Sequence, residues 1–410
     1  MALLSRRFLD RRRLPHIVIA GANFAGLAAA RGLPASRFRV TVIDPEPRAE
    51  WLPNIHELLS RRKTPDQLQH DRPLMLQRLG HEFLQEAVTA IEPHSKRVMT
   101  SGGSAFDYDD LIIAVGSTTQ PPVGADPSIT FTTKSMADCQ RINHALTRLA
   151  ALPGNRTVAI VGGGIEGLEM LGEILRRFGG DNRLTLHLIE ARPRLFESFP
   201  GLHDHLLQRM SGEVSLHCGH RVQALGPQGI RLENGEMIDA RLILWTAGTQ
   251  GHPLLASAGL CRPGEHAPVN NRLQSLKHPN IFIIGDAAQL PDPLSKQAYH
   301  AQAMGQHVAD LLLRREQGSQ QPVFQPQPKP SLVSFGDRDA FMIMGKRLVA
   351  SPALLGLKEA IYQYGYHEML PPQSRREVAS LLRDMRQGID TLDAWRLLAG
   401  SAETRLFEAH

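Results

Sequence analysis

Short, apolar, β-branched runs that stop at glycine, with helical patterns between them, recur along this chain. Ile17 to Ala20, Asp110 to Gly116 (DLIIAVG), Val158 to Val161, Leu242 to Gly248 (LILWTAG) and Asn280 to Ala288 (NIFIIGDAA) all read as buried strands. Strands of this kind alternating with helices predict an α/β fold. Residues 86–98 (EAVTAIEPHSKRV) read as strand, turn and strand, and residues 291–305 (PDPLSKQAYHAQAMG) as the start of a helix. Two amphipathic helices are expected near the C-terminus. In 352–370, Leu354, Leu357, Ile361 and Tyr364 fall on one face, with Lys358 and Glu359 off it. Packing of that face on the core and contact with a membrane surface are equal alternatives. In 377–398 the stripe is Val378, Leu381, Met385, Ile389 and Leu392, suited to a second copy of the chain or to covering an acceptor. Pro371 and Pro372 end the first helix. A Gln- and Pro-rich stretch, 315–330, is an extended connector. No apolar run reaches the roughly 18 residues that a membrane-spanning helix needs.

Two of the strands open the same motif. In TVAIVGGGIEGLEMLGEILRRFGGDNRLTLHLIE (157–190), Gly162 permits a tight turn, Gly164 lets backbone approach a pyrophosphate, and Gly167 lets helix and strand pack closely. The pyrophosphate would rest on the helix N-terminus. Glu190 stands where a carboxylate accepts hydrogen bonds from a ribose 2′-OH. A 2′-phosphate beside it would be repelled, so NADH is expected over NADPH, with Arg192 and Arg194 softening the preference. The first copy, HIVIAGANFAGLAAARGLPASRFRVTVID, places Gly21, Asn23 and Gly26 at the three glycine positions and Asp44 at the acid. Asn23 is expected there for its tolerance of unusual backbone angles. Two dinucleotide sites imply two dinucleotides, and a flavin with a nicotinamide is the productive pair.

With these motifs, and with Asp286 delivered after Gly285, the chain resembles the two-dinucleotide-binding-domain flavoproteins. Several stretches are similar to type II NADH:quinone oxidoreductases: GGGIEGLEMLGEI, LIEARPRLFESFP, SLVSFGDRDAFMIMGKRLVA and YQYGYHEML. The resemblance implies FAD held by Gly21, Asn23, Gly26, Asp44, Pro53, Val88, Gly116, Asp286 and Gln297. It implies NAD(H) held by Gly162, Gly164, Gly167, Glu190 and Gly248, with Glu169 beside the nicotinamide. It places an acceptor pocket at Lys296, Tyr299 and Gln302, with Glu169, Lys296 and Gln297 as catalytic candidates. Lys296 stands where the family has alanine, and Gln302 is one residue late. Those departures would suit an acceptor of different shape or a soluble redox partner; the resemblance itself implies a quinone or another small electron acceptor, with an iron–sulfur carrier as the alternative. A third reading is a slow-turnover flavoprotein that signals redox state through its partners. His56 and Glu57, in the stretch laid along the flavin, are either proton donors or helix caps.

At 410 residues the chain exceeds one core and should divide. The expected layout is a basic arm (1–15), an FAD-binding domain in two parts (16–120 and 249–314), and an NAD-binding domain (121–248). A linker (315–330) and a small C-terminal α+β region (331–410) complete it. A net charge of +5 is too modest to argue for nucleic acid. Only three cysteines occur, Cys139, Cys218 and Cys261, with no Cys-x-x-Cys, which excludes the paired dithiol of the disulfide reductases. Isolated thiols fit a reducing compartment, the cytoplasm or the inner face of the plasma membrane. The grouping of His203, His205, His217, Cys218 and His220 matches no zinc spacing, and no metal is expected.

Overall fold

A computed structural model describes residues 14–180, 183–210, 212–370 and 404–409. The chain forms two compact units, each assembled from three separated segments. The basic arm and the stripe at 377–398 lie outside the described residues, apart from positions 14 and 15.

The first unit comprises residues up to Glu50, Gln69–Thr118 and Thr249–Gln327. Its centre is a five-stranded parallel sheet in the order Ile281–Ile283, Asp110–Ile113, His16–Ala20, Arg39–Ile43, Glu82–Leu84. Ile17, Val18, Ile19 and Ala20 have no exposed surface, which explains why the strand is continuously apolar rather than alternating. The helix Phe24–Gly32 packs against the helix Ala298–Glu316. Gly305 allows that approach, since a Cβ there would lie 2.2 Å from the carbonyl oxygen of Ala25. The hairpin expected at 86–98 is present as Val88–Glu92 paired with Arg97–Thr100.

The second unit comprises Trp51–Leu68, Thr119–Gly248 and the chain from Pro328. A parallel sheet runs in the order Thr130–Phe131, Leu242–Trp245, Thr157–Val161, Thr185–Glu190, Val214–Cys218. An antiparallel sheet of Ser331–Phe335, Asp339–Met344, Arg347–Ala350 and Arg405–Glu408 carries the helix Leu354–Met369. Gly172 and Gly336 let the helix Ile165–Phe178 touch this sheet, because a Cβ on Gly172 would lie 2.2 Å from the backbone nitrogen of Gly336.

Two sequence expectations need correction. The helix read from Pro291 begins at Ala298. Pro291 and Pro293 bias the residues before them away from helical angles, so the chain turns first and leaves Lys296 and Gln297 ahead of the helix. The connector begins later than 315, because Arg315 and Glu316 still belong to that helix.

Candidate functional site

In the second unit the strand Thr157–Val161 delivers Gly162 with φ +111°, an angle that side chains avoid. A Cβ on Gly167 would fall 1.9 Å from the carbonyl oxygen of Gly162, so the glycine lets the helix start against the strand end. The Thr246 hydroxyl, just past the end of the neighbouring strand Leu242–Trp245, donates to the carbonyls of Val161 (2.9 Å) and Gly162 (3.1 Å) and pins the turn. Gly164 differs from its neighbours. It is exposed, and a Cβ there would meet nothing within 4 Å, so room remains for a pyrophosphate above the helix N-terminus. Glu190 accepts from the backbone N–H of Gly163 (2.8 Å) and of Arg192 (2.9 Å). Gly248 also has a positive φ, +81°.

The first unit repeats the device. Gly21 has φ +93°, and a Cβ on Gly26 would fall 2.0 Å from the Gly21 carbonyl oxygen. Asp44 accepts from the N–H of Ala22 (2.7 Å) and of Glu46 (2.9 Å). It also accepts from Arg72 (2.6 Å), a buried guanidinium that burial pulls below its usual value despite Asp44. Nothing local in the sequence marks Arg72, which lies 28 residues from its partner. Asn23 has φ −106°, so the tolerance expected of it is not used; Gly21 carries the left-handed turn instead. The Asn23 side-chain oxygen is buried without a hydrogen-bond partner. With oxygen and nitrogen interchangeable by a flip, that amide has capacity for a ligand at the helix start. Both cradles thus fit a dinucleotide. Val88 opens its hairpin strand, Gly116 lies with φ +71° between the strands Asp110–Ile113 and Ser117–Thr118, and Pro53 sits in the second unit on a turn of 3-10 helix.

Asp286 follows Gly285 (φ +64°) on a short 3-10 turn in the first unit. Beside it is a cavity lined by Asp286, Lys296, Gln297, His300, Ala301 and Met304, among others. Positions 297, 300, 301 and 304 share one helical face. Lys296 lines this cavity, and Tyr299 and Gln302 are not among its lining residues. The i, i+3, i+4, i+7 spacing would have singled out His300 and Met304.

A second polar centre is wholly inside the second unit. Glu169 and Glu173, on the helix Ile165–Phe178, are both buried. Lys358 donates to Glu169, to the Ser334 hydroxyl (2.7 Å), and approaches His56 Nε2 (3.2 Å). The Ser334 N–H also donates to Glu169 (3.1 Å), and His56 Nδ1 stands 3.6 Å from its other oxygen. Burial lifts the Glu169 carboxyl above the usual range while Lys358 opposes the rise. Burial, then Lys358 and Arg176, hold His56 well below its usual value, so the imidazole is neutral. His56 makes no side-chain cap to the helix Glu57–Ser60 that follows it. Around this pair lie Glu57 with Arg62 (3.3 Å), Glu359 with Lys63 (2.6 Å) and Glu173 with Arg176 (3.3 Å).

Glu173 is pushed up to about 7, mainly by burial, with Arg176 opposing. A carboxyl raised on folding stabilises the protein while protonated, and that contribution is lost as pH rises from 4.5 through about 7. The Glu173→Gln variant should therefore gain relative to wild type on going from about pH 5 to about pH 8, by up to about 3 kcal/mol in chemical denaturation. Parallel pH profiles for the two proteins would show that Glu173 is ionised in the fold.

The helix Leu354–Met369 that supplies Lys358 is inverted. Lys358, Glu359 and Gln363 are buried, whereas Leu357, Ile361 and Tyr364 are 43%, 51% and 72% exposed. Of the two alternatives for the apolar stripe, packing on the core of this chain is thereby overturned for these three residues. A lysine and a glutamate opposite an apolar stripe ordinarily mark a solvated face, which is why Lys358 is not legible as a site residue.

Residues 15–305 match the pyridine nucleotide-disulphide oxidoreductase family, and the chain belongs to it. It is similar to the NADH dehydrogenase-like protein YutJ of Bacillus subtilis, with 26% identity over 68% of this chain and 78% of that protein. It is also similar to the demethylphylloquinone reductase NdbB of Synechocystis, with 25% identity over 67% and 72%. Among solved structures, the sulfide:quinone oxidoreductase of Aquifex aeolicus superposes with TM-score 0.76 at 19% identity, covering 89% of this chain and 94% of that one. NDH2 of Plasmodium falciparum in complex with NADH gives 0.73 at 16% identity, covering 81% and 90%. The chain is an NAD(P)H-dependent flavin oxidoreductase of the NADH dehydrogenase-like kind, and its cofactors are FAD and NAD(H). Despite the family's name, no disulfide joins Cys139, Cys218 or Cys261, and their sequence spacing offers no redox dithiol.

Proposed function

We propose that the chain oxidises NADH bound at the 162–190 cradle and passes the electrons through FAD, bound at the 21–44 cradle, to a quinone at a membrane surface. The observation that carries the choice of acceptor is the inverted helix. A helix with buried charges and an outward stripe of Leu357, Ile361 and Tyr364 is suited to lie in a lipid interface, where a quinone dissolves. Among the described residues no helix is long and apolar enough to cross a membrane, so contact would be from one side. The names of two similar proteins support the same acceptor: NdbB, a demethylphylloquinone reductase, and an alternative NAD(P)H-ubiquinone oxidoreductase of Arabidopsis thaliana, 26% identical over 70% of this chain and 64% of that one.

FAD, when bound, supplies the hydride acceptor and the electron relay, and the protein orients and tunes it. Glu190 and the open Gly164 would seat the NADH, with the carboxylate at the ribose and the helix start at the pyrophosphate. Forming a quinol from NADH and a quinone takes up one proton. Glu169 and Lys358, with neutral His56 beside them, hold a proton in a buried hydrogen-bonded set next to the helix proposed to face the lipid.

The test pairs turnover with membrane binding. The full-length protein should reduce a short-chain quinone with NADH and float with anionic phospholipid vesicles. The triple variant L357S/I361S/Y364S should keep its thermal stability and lose vesicle affinity by tenfold or more, since three half-exposed apolar groups each contribute about 1 kcal/mol. Reduction that depends on an added ferredoxin, with no quinone reduction, would replace this acceptor by an iron–sulfur carrier. A flavin barely bleached by excess NADH would point to the redox-signalling alternative.

A further inference from the structure

We propose that NADH enters the 162–190 cradle together with a proton, which the Glu166 carboxylate takes up from solvent. The proposal rests on the NADH reading above and adds a proton-linked control to that same site. The two cradles differ in charge at one position. Counting from the first glycine, Ala25 in the first cradle corresponds to Glu166 in the second. The helix Phe24–Gly32 has no acid in its first turn, whereas Ile165–Phe178 has Glu166 there. A dinucleotide brings its phosphate charges to that helix start, so an ionised Glu166 opposes the ligand that the helix dipole attracts.

Side chains on a helix lean toward its N-terminus, so Glu166 leans over the start of its own helix. There the Thr133 hydroxyl donates to Glu166 Oε1. Thr133, Thr246 and Gly162 follow the neighbouring parallel strands Thr130–Phe131, Leu242–Trp245 and Thr157–Val161. They therefore share the carboxyl edge of the sheet, where folds of this kind bind their ligands. Glu190 ends the strand on the other side of Thr157–Val161. A dinucleotide with its adenosine ribose at Glu190 and its phosphates at Gly164 crosses the helix start toward Glu166 and Thr133.

The surroundings leave that carboxyl poised between its two forms. Lys134, between the strand Thr130–Phe131 and the helix Met136–Ala151, attracts its charge from beyond ion-pair distance. Glu169, on the same helix as Glu166, repels it. The end of the strand Leu242–Trp245 brings the uncharged Thr246 hydroxyl to this helix start, against Gly167. Burial first, with Lys134 opposing and Glu169 adding, pushes Glu166 up to about 7. Arriving phosphates raise it further. The proton adds to Oε2, since Oε1 accepts from Thr133, and removes the charge that opposes the ligand. Because the ligand favours the protonated form, affinity is full below about pH 7 and falls as pH rises.

ADP-ribose tests this without turnover, since it keeps the adenosine and both phosphates and lacks the nicotinamide. For the full-length, FAD-loaded protein its dissociation constant should rise about tenfold from about pH 6.5 to about pH 8.5. Calorimetry near about pH 7.5, in two buffers of different ionisation enthalpy, should show uptake of about half a proton per ligand bound. Glu166→Gln, and Glu166→Ala, which copies the first cradle, should take up no proton and bind more tightly than wild type at the upper pH. Their affinities should change by no more than about twofold across the range. Wild-type binding without proton uptake overturns the role of Glu166 and needs no variant to do so. Uptake that persists in a variant with wild-type melting overturns it equally. A wild-type protein that binds no ADP-ribose at any pH would instead overturn the NADH reading beneath it.

Discussion

Replacing Lys358 with methionine is expected to destabilise the protein by about 3–5 kcal/mol at neutral pH, because it leaves a buried carboxylate without its counter-charge. Lys358 and Glu169 have side-chain exposures of only 10% and 11%. Water cannot replace the lost ammonium there, and His56 cannot either, since burial keeps its imidazole neutral. Glu169 can escape the cost only by taking up a proton on folding. The loss should therefore be small near about pH 5 and grow as pH rises, the direction for a carboxyl whose folded value lies above its unfolded one. The double variant Lys358→Met/Glu169→Gln removes both charges and should recover at least half of the deficit, although Ser334 then keeps fewer partners. Urea denaturation of the four proteins at two pH values closes the cycle. A Lys358→Met variant within about 0.5 kcal/mol of wild type at both pH values would place Lys358 among ordinary surface lysines.

The second large effect separates two glycines three residues apart. Gly167→Ala would bring a Cβ to 1.9 Å from the Gly162 carbonyl oxygen and 3.0 Å from the Thr246 hydroxyl. Helix and strand would have to part, at a cost of about 1–3 kcal/mol or more, and the NADH cradle would open with them. Gly164→Ala meets nothing within 4 Å and should leave melting unchanged. It still places a methyl group where the pyrophosphate is proposed to rest, so KM for NADH should rise by tenfold or more. Thermal melting and NADH titration of both variants check this. Equal effects of the two substitutions on stability would contradict the geometry, and an unaltered KM in Gly164→Ala would move the nucleotide elsewhere.

The parts of the fold most legible in the sequence were those set by local rules. Strands buried on both faces read as apolar runs, and glycines at 26 and 167 stand where a side chain would collide with the preceding turn, those at 21 and 162 where it would collide with the end of a neighbouring strand. Asp44 and Glu190 lie at the ends of their strands, where both bind the backbone of the glycine loop. What was not legible depends on contacts between distant segments. Arg72 reaches Asp44 from another helix, and Ser334 and Lys358 reach Glu169 across more than 160 residues. The helix Leu354–Met369 showed its periodicity but not its direction. Periodicity tells which residues share a face; only the polar partners His56, Lys63 and Glu169, from two other segments, decide which face turns inward. Proline placement likewise delayed the helix after Asp286.

The measurement closest to the central claim is anaerobic mixing of the full-length, FAD-loaded protein with NADH, followed by addition of a quinone. Two cradles that hand electrons from a diffusible reductant to a bound flavin require the visible flavin band to bleach, faster with NADH than with NADPH, and to return when quinone is added. A protein that stays colourless when supplied with FAD, or a flavin that remains oxidised under excess NADH, would contradict the account.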